Sequence, residues 1–585
     1  MENVYVMKKI YLILVSLAAI GLSACSTEDS STSGTVSGSI SMQGTLNDTR
    51  VTETDAGSGF TVSSLTTPNV NNMKTSWVSN DKITVVYDPY NEGTTTSSAT
   101  WNSQDFQTSG STNAGNGFFQ STSSTLTVAQ VKGYIDNSAI AMSKSSKTTV
   151  SQVGTGKSIK GTVDLSGQNG TLSNVSNYDL LYASSTNNGV SQKPFVFNHA
   201  MCVLRFDLYN LHTSTSSATI TYTPNASTPQ LLASNVAYTY DGSTLTQTSV
   251  TNTPSITVSN SLSVNSTYTA SVYIVIPGTA ASSSTTYSGK FAITVTDNNG
   301  LTYKTSNVTV SNMSFNYGKV YAKLVYLLGI GMYYYADGQW GWQTTNPRNS
   351  GSSNNAIGLV ISTSPGSAAQ ADGFKNGVAI ALNDASDESS AHTNWSSSYS
   401  TPATPSNVGY YAFPTDVNNI PSGGLLDMNS GYVGGIKDRA TTSVLSNGYY
   451  AYYYAANYNV TTPTTSSKWY LPSAGEWYSM YSAFKLFITP WYYHSDVDYT
   501  YTNLFVQRNE AIYSNFCNYF TAAGGTAHTG GVAYMTATEI NSQYYFKPSF
   551  NNSNWNQSFS GYGLSFEPAD KVSTLPQVVR AVLSF

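Results

Sequence analysis

Phe195-Val196-Phe197-Asn198-His199-Ala200-Met201-Cys202-Val203-Leu204-Arg205-Phe206 is the stretch on which the fold turns. It is apolar and alternating, rich in aromatic and β-branched residues, which is the composition of a packed strand. His199 invites a catalytic reading, but no Ser, Asp or second His stands near it in sequence. Without those partners a structural histidine is expected.

The same signal spreads in both directions. Asp81-Lys82-Ile83-Thr84-Val85-Val86-Tyr87 is β-branched and partly alternating, and Val272-Tyr273-Ile274-Val275-Ile276 is a continuous apolar run ended by Pro277-Gly278. Phe291, Ile293 and Val295 alternate with Ala292, Thr294 and Thr296; Asp297-Asn298-Asn299-Gly300 then turns the chain into Leu301-Thr302-Tyr303. That is a hairpin with its turn chemistry in place. Short strands between Ser/Gly/Asn turns predict β-sandwiches, and no amphipathic helix of 12 residues stands out before residue 330.

Composition narrows the function. Of 585 residues only 10% are charged, against roughly 25% in an average soluble domain. Net charge is −5 and no Lys/Arg run occurs, so the electrostatic footprint of nucleic-acid binding is missing. Cys202 and Cys517 lie far apart and are expected as buried thiols. The five histidines are scattered, so no metal site is expected. Val153-Gly154-Thr155-Gly156-Lys157-Ser158 ends like a phosphate-cradling loop, yet its first glycine is replaced by Ser151 and no strand-to-helix context surrounds it. Glu567-Pro568-Ala569-Asp570 lacks a carbonyl-bearing side chain at Ala569, so no calcium is expected. No cofactor is expected either. A glycan hydrolase would need two carboxylates ~5–10 Å apart across a cleft, and no such pair is recognisable.

The N-terminus reads as an export signal. Lys8 and Lys9 precede an almost unbroken apolar run from Ile10 to Leu22, and Leu22-Ser23-Ala24-Cys25 ends it. The run falls short of the ~20 residues of a spanning helix. Leu-Ser-Ala-Cys resembles the lipobox of bacterial lipoproteins. That resemblance implies a signal peptide over 1–24, lipidation of Cys25 and, because Ser26 follows, transfer to the outer membrane. Multiple acyl chains make such an anchor stable. Residues 25–36 are a polar tether.

A different composition begins near Gly329, with seven of the nine tryptophans at or after Trp340. Asn355 to Ser362 and Asn376 to Leu382 read as strands. One helix is expected: Ser473-Ala474-Gly475-Glu476 fits a capping box, and Trp477, Met480, Tyr481, Phe484 and Phe487 form one stripe before Pro490. The tyrosines of 449–458 are expected as packed strand positions. The segment 544–555 is expected as loop, where Tyr544, Tyr545 and Trp555 among Asn551, Asn552 and Asn554 form a candidate ligand surface.

Three blocks resemble fimbrillin-like proteins, the subunits of Bacteroidales pili: Trp77-Val78-Ser79-Asn80-Asp81-Lys82-Ile83, Tyr178-Asp179-Leu180-Leu181-Tyr182-Ala183, and the 195–206 strand. The resemblance implies two transthyretin-like β-sandwich domains, over 37–190 and 191–326. The Ser/Gly-rich stretch 100–175 departs from the pattern. It also implies maturation by cleavage after an arginine such as Arg50, the only arginine before Arg205, leaving Val51 first. Loss of the strand before the cut would open a groove that another subunit's donor strand fills by β-augmentation. The bland alternative for Arg50 is a surface residue in a linker.

Over 329–585, Tyr335-Ala336-Asp337-Gly338-Gln339-Trp340, Ala356-Ile357-Gly358-Leu359-Val360, Trp469-Tyr470-Leu471-Pro472-Ser473-Ala474-Gly475-Glu476-Trp477, Tyr534-Met535-Thr536-Ala537-Thr538-Glu539 and Val579-Arg580-Ala581-Val582-Leu583-Ser584-Phe585 occur in order. They resemble a domain that ends many bacterial surface proteins. That implies an α+β C-type-lectin-like domain after a mostly β chain. Together these expectations describe a non-enzymatic, surface-exposed pilus adhesin of the outer membrane or fimbrium. Its partners are other fimbrial subunits and a glycan or protein ligand. The alternative is a lipid-anchored surface glycan-binding protein outside any pilus.

Overall fold

The computed structural model describes residues 35–36, 41–46, 77, 79–88, 100–108, 116–121, 126–127, 139–185, 195–212, 215–259, 262, 264 and 269–280. It then describes 282–585 apart from 299, 350, 352–353, 386–393, 398–409, 413–422, 438–447, 495–502, 529–531, 552–562 and 574–576. The chain is mostly β, with several antiparallel sheets and its longer helices after residue 449.

Seven strands close into a barrel in the order Leu181–Ser185, Phe195–His199, Ser41–Leu46, Asn116–Ser121, Asn102–Thr108, Lys82–Tyr87 and Ala139–Lys144, the last pairing with the first. Ile83, Val85, Phe106, Phe119, Phe195 and Phe197 fill it around Trp77, whose ring meets Phe119 at 4.8 Å and Phe197 at 5.2 Å, edge to face. The strand 82–87 is apolar on both faces for a reason. Val85 points into the barrel, while Val86 packs outward on a second core with Ile159, Val163 and Val236.

That outer core belongs to a four-stranded sheet ordered Leu245–Asn252, Ala233–Tyr240, Ile159–Asp164 and Thr148–Gln152. The stretch 153–158 is the turn of its 148–164 hairpin, closed by Val153 N–H on the Ser158 carbonyl at 2.9 Å. On the far side lies a three-stranded sheet, Thr269–Pro277, Met201–Tyr209 and Val320–Tyr326. Val203 faces the four-stranded sheet. Leu204, Phe206 and Leu208 face a five-stranded sheet containing Thr215–Pro224, Tyr287–Asp297 and Thr302–Met313. Met201–Phe206 is thus buried from both sides, so the alternation expected of this stretch holds in Phe195–His199 and not here. The 291–303 hairpin forms as expected: Phe291, Ile293 and Val295 are buried, and the Asp297 carboxylate accepts from Leu301 N–H and Tyr303 Oη–H.

Strand pairing does not stop at residue 190. The first unit closes on itself, and pairing runs across that point in both directions: 159–164 pairs with 235–240, and 195–197 pairs with 44–46. The change of sheet falls at Ala200, between Phe195–His199 and Met201–Tyr209.

Residues 328–585 form an α+β unit. One sheet joins Trp340–Gly341, Tyr333–Tyr335, Ala356–Ser362, Val378–Ala381 and Val582–Ser584, bringing both ends of the unit together. The other joins six strands, Tyr544–Asn551 and Gly563–Asp570 among them. The helix Ala474–Ala483 has its capping box, with Ser473 Oγ accepting from Glu476 N–H and the Glu476 carboxylate from Ser473 N–H. It ends sooner than the apolar stripe suggested. Lys485 turns with φ +53°, and Phe487 opens the strand Phe487–His494, whose register shift between Ile488 and Tyr492 accommodates Pro490. Two further helices run against expectation: Tyr450–Ala456, read as strand, and Glu510–Ala522.

The joint between this unit and the strands before it is closed. Trp340 Nε1–H donates to the Leu327 carbonyl at 3.0 Å, Trp342 Nε1–H to the Asn210 carbonyl at 2.8 Å, and the Arg348 guanidinium lies 4.3 Å over the Tyr326 ring. A single apolar core runs through it from Leu204 to Tyr334 and Phe585.

Candidate functional site

The strand Ser41–Leu46 occupies a slot in the barrel wall. On one side it pairs in parallel with 195–197; on the other it pairs antiparallel with 116–120. No other described strand bridges those two neighbours. Arg50 and Val51 lie outside the described residues, as does Cys25; Arg50 follows the slot strand by four positions.

Next to the slot, two of the sequence blocks meet. His199 Nδ1 lies 2.7 Å from Asp179 Oδ2, and both residues are buried. Leu181 is the register partner of His199. His199 therefore does have an acidic partner, supplied by the 178–183 block twenty positions upstream. The pair ties the 178–183 block to the end of the barrel strand Phe195–His199.

In the third unit, residues 328–585, the candidate aromatics separate. Tyr544–Asn551 is a strand, not a loop. Tyr545 is fully buried and stacks on Trp395 with centroids 5.8 Å apart, and burial holds its phenol pKa well above 10. It forms core, so its expected ligand role is corrected. Tyr544 is half-buried, held by Asn541 Oδ1 accepting its N–H at 2.8 Å. Trp555 lies outside the described residues.

Two buried carboxylates escaped the sequence reading as neighbours. Glu476 Oε1 accepts from Tyr470 Oη–H at 2.6 Å, and Oε2 from Ser473 N–H at 2.8 Å. Asp427 accepts from Asn429 N–H, Ser430 N–H, Ser430 Oγ–H and Thr538 Oγ1–H. Burial, opposed by the bonds from Tyr470 and Ser473, pushes the Glu476 carboxyl up to about 7. Glu476 Oε2 and Asp427 Oδ1 cap a helix and a turn, while Glu476 Oε1 and Asp427 Oδ2 are taken up by the hydroxyls of Tyr470, Ser430 and Thr538.

No family model and no curated protein matches the chain. Among solved structures it is similar to a fimbrial protein from Bacteroides ovatus at 14% identity, over 93% of this chain and all of that one, with a TM-score of 0.29. It is also similar to the fimbrial anchor protein from Porphyromonas gingivalis at 9% identity, over 51% of this chain and 98% of that one, with a TM-score of 0.23. Scores this low define neither a shared fold nor a shared function.

Proposed function

We propose that the protein is a pilus-associated adhesin, a tip or minor subunit delivered to the surface as a lipoprotein at Cys25 and assembled by strand addition. The observation that carries this reading is the slot strand. Ser41–Leu46 completes the barrel, and Arg50 follows it closely. Cutting after Arg50 frees a peptide that carries Thr35–Val36 and the barrel strand Ser41–Leu46, and loss of the latter leaves two unpaired edges, the template that β-augmentation uses. The C-terminal strand Val582–Ser584 is itself paired with 378–380, so donating it to a neighbour would break a sheet. That favours receiving a strand over donating this one. The ligand-binding part is then the lectin-like third unit, with Tyr544 and Trp555 as candidate contacts. Immunogold labelling tests the placement: label at pilus tips is expected, and uniform label along the shaft rules it out.

A second reading has its own observation. With Ser41–Leu46 in place the barrel is already closed, so the uncut chain can stand as a lipid-anchored surface glycan-binding protein. N-terminal sequencing of surface material separates the two: a start at Val51 supports assembly, and an acylated Cys25 supports the anchor.

A further inference from the structure

Register fixes which positions of the slot strand belong to the inside of the barrel. Position 42 pairs with Phe119, position 44 with Phe195 and position 46 with Phe197, and all three phenylalanines are part of the buried barrel core. Paired residues share a face of the sheet, and so do alternate residues, which puts 42, 44 and 46 on the inner row. Position 45 pairs with Val196, which is 44% exposed, and belongs to the outer row. The middle of the inner row carries no side chain. Position 44 is glycine, and its partner on the antiparallel side is Gly117. On the parallel side stands Phe195, 3% exposed, with its ring centroid 6.0 Å from that of Phe197.

Glycine weakens a strand, through backbone entropy and through packing it cannot make, so two glycines paired across one ladder ask for a steric reason. The Phe195 ring supplies it. A large ring beside two positions without a Cβ is the large-against-small fit by which small barrels fill their interiors. A side chain added at position 44 would compete with that ring for the same space. We propose that Phe195 is the selectivity residue of the slot: it admits a strand with glycine at the middle inward position and turns away one with a bulky side chain there. The inference rests on the strand-addition reading and narrows the partner to an extended segment of the pattern apolar-x-Gly-x-apolar, as in Met42-Gln43-Gly44-Thr45-Leu46. The outer two members of the pattern meet Phe119 and Phe197, where a polar group would be buried without a partner.

The test varies the strand and leaves the barrel alone. The full chain, with a sequence-specific protease site in place of residues 47–50, is cut, stripped of its first fragment and offered synthetic peptides of residues 37–50. Binding is read from the hydrogen-exchange protection that returns to 116–121 and 195–199. The Gly44→Leu peptide should bind more weakly than the parent peptide by about tenfold or more. The Thr45→Leu peptide places the same side chain on the outer row and should stay within about threefold of the parent. In a Phe195→Ala chain the penalty for Gly44→Leu should shrink to about threefold or less, since the space is then free. Equal binding of the Gly44→Leu and parent peptides overturns the proposal, and so does a Thr45→Leu penalty as large as that of Gly44→Leu. If the parent peptide itself does not rebind, the strand-addition reading falls and this inference with it, so the two failures are told apart.

Discussion

Releasing the slot strand should leave the barrel dependent on a replacement. Ser41–Leu46 makes three register pairs with one neighbour and five with the other. Such a ladder carries roughly eight hydrogen bonds, and at ~0.5–1.5 kcal/mol net for each they contribute roughly 4–12 kcal/mol. A whole domain is stable by ~5–15 kcal/mol. Loss of this one strand therefore removes a quantity of the same size as the barrel's entire margin, before the exposure of Phe119, Phe195 and Phe197 is counted. The experiment replaces residues 47–50 by a site for a sequence-specific protease, cuts the folded chain, and strips the fragment in mild denaturant. Hydrogen exchange then follows 116–121 and 195–199. Both segments should lose protection on release and regain it when a synthetic peptide of residues 37–50 is supplied. If they stay protected with the fragment gone and no peptide added, the slot strand is dispensable and the assembly argument collapses.

Three further outcomes are expected. Glu476 has a folded-state pKa of about 7 against 4.5 for the free group, so the fold favours its protonated form. Its stabilising contribution is full below pH 4.5 and is lost as pH rises through 7, by roughly 3 kcal/mol; urea midpoints should fall over that window, and Glu476→Gln should flatten the slope, whereas parallel slopes would show the group to be ordinary. Asp179→Ala removes the 2.7 Å partner of His199 and should cost the barrel ~1–3 kcal/mol in urea unfolding, with an unchanged midpoint counting against the pair's role. Tyr545→Ala should cost ~3–5 kcal/mol and Tyr544→Ala clearly less, and equal effects of the two would contradict their different burial.

Much of the strand content was legible because local pattern and tertiary burial agree, as in the 291–303 hairpin and the 473–476 capping box. The failures share a cause. Tyrosine favours strands, which made 449–458 look extended, yet Ala451 and Ala455 at a four-residue step mark the buried face of a helix with Tyr452. Glu510–Ala522 had its signal too, with Asn509 capping it and Tyr513, Phe516 and Phe520 on one stripe. The Asp179–His199 contact is different in kind. No local rule links two residues twenty positions apart, and only the pairing of 181–182 with 198–199 brings them together. Likewise, the closure of the barrel depends on a parallel partner more than 150 residues away, which periodicity cannot reveal.

On the adhesin reading proposed above, the closed joint at Leu327, Trp340 and Trp342 sets how the molecule meets a target. A head on a loose string explores a wide sphere but surrenders rotational freedom each time it docks. A head fixed to its stalk explores only a narrow arc and has little of that freedom left to surrender. Contact then depends on the angle at which the stalk arrives, and each bond formed is held as firmly as the stalk itself.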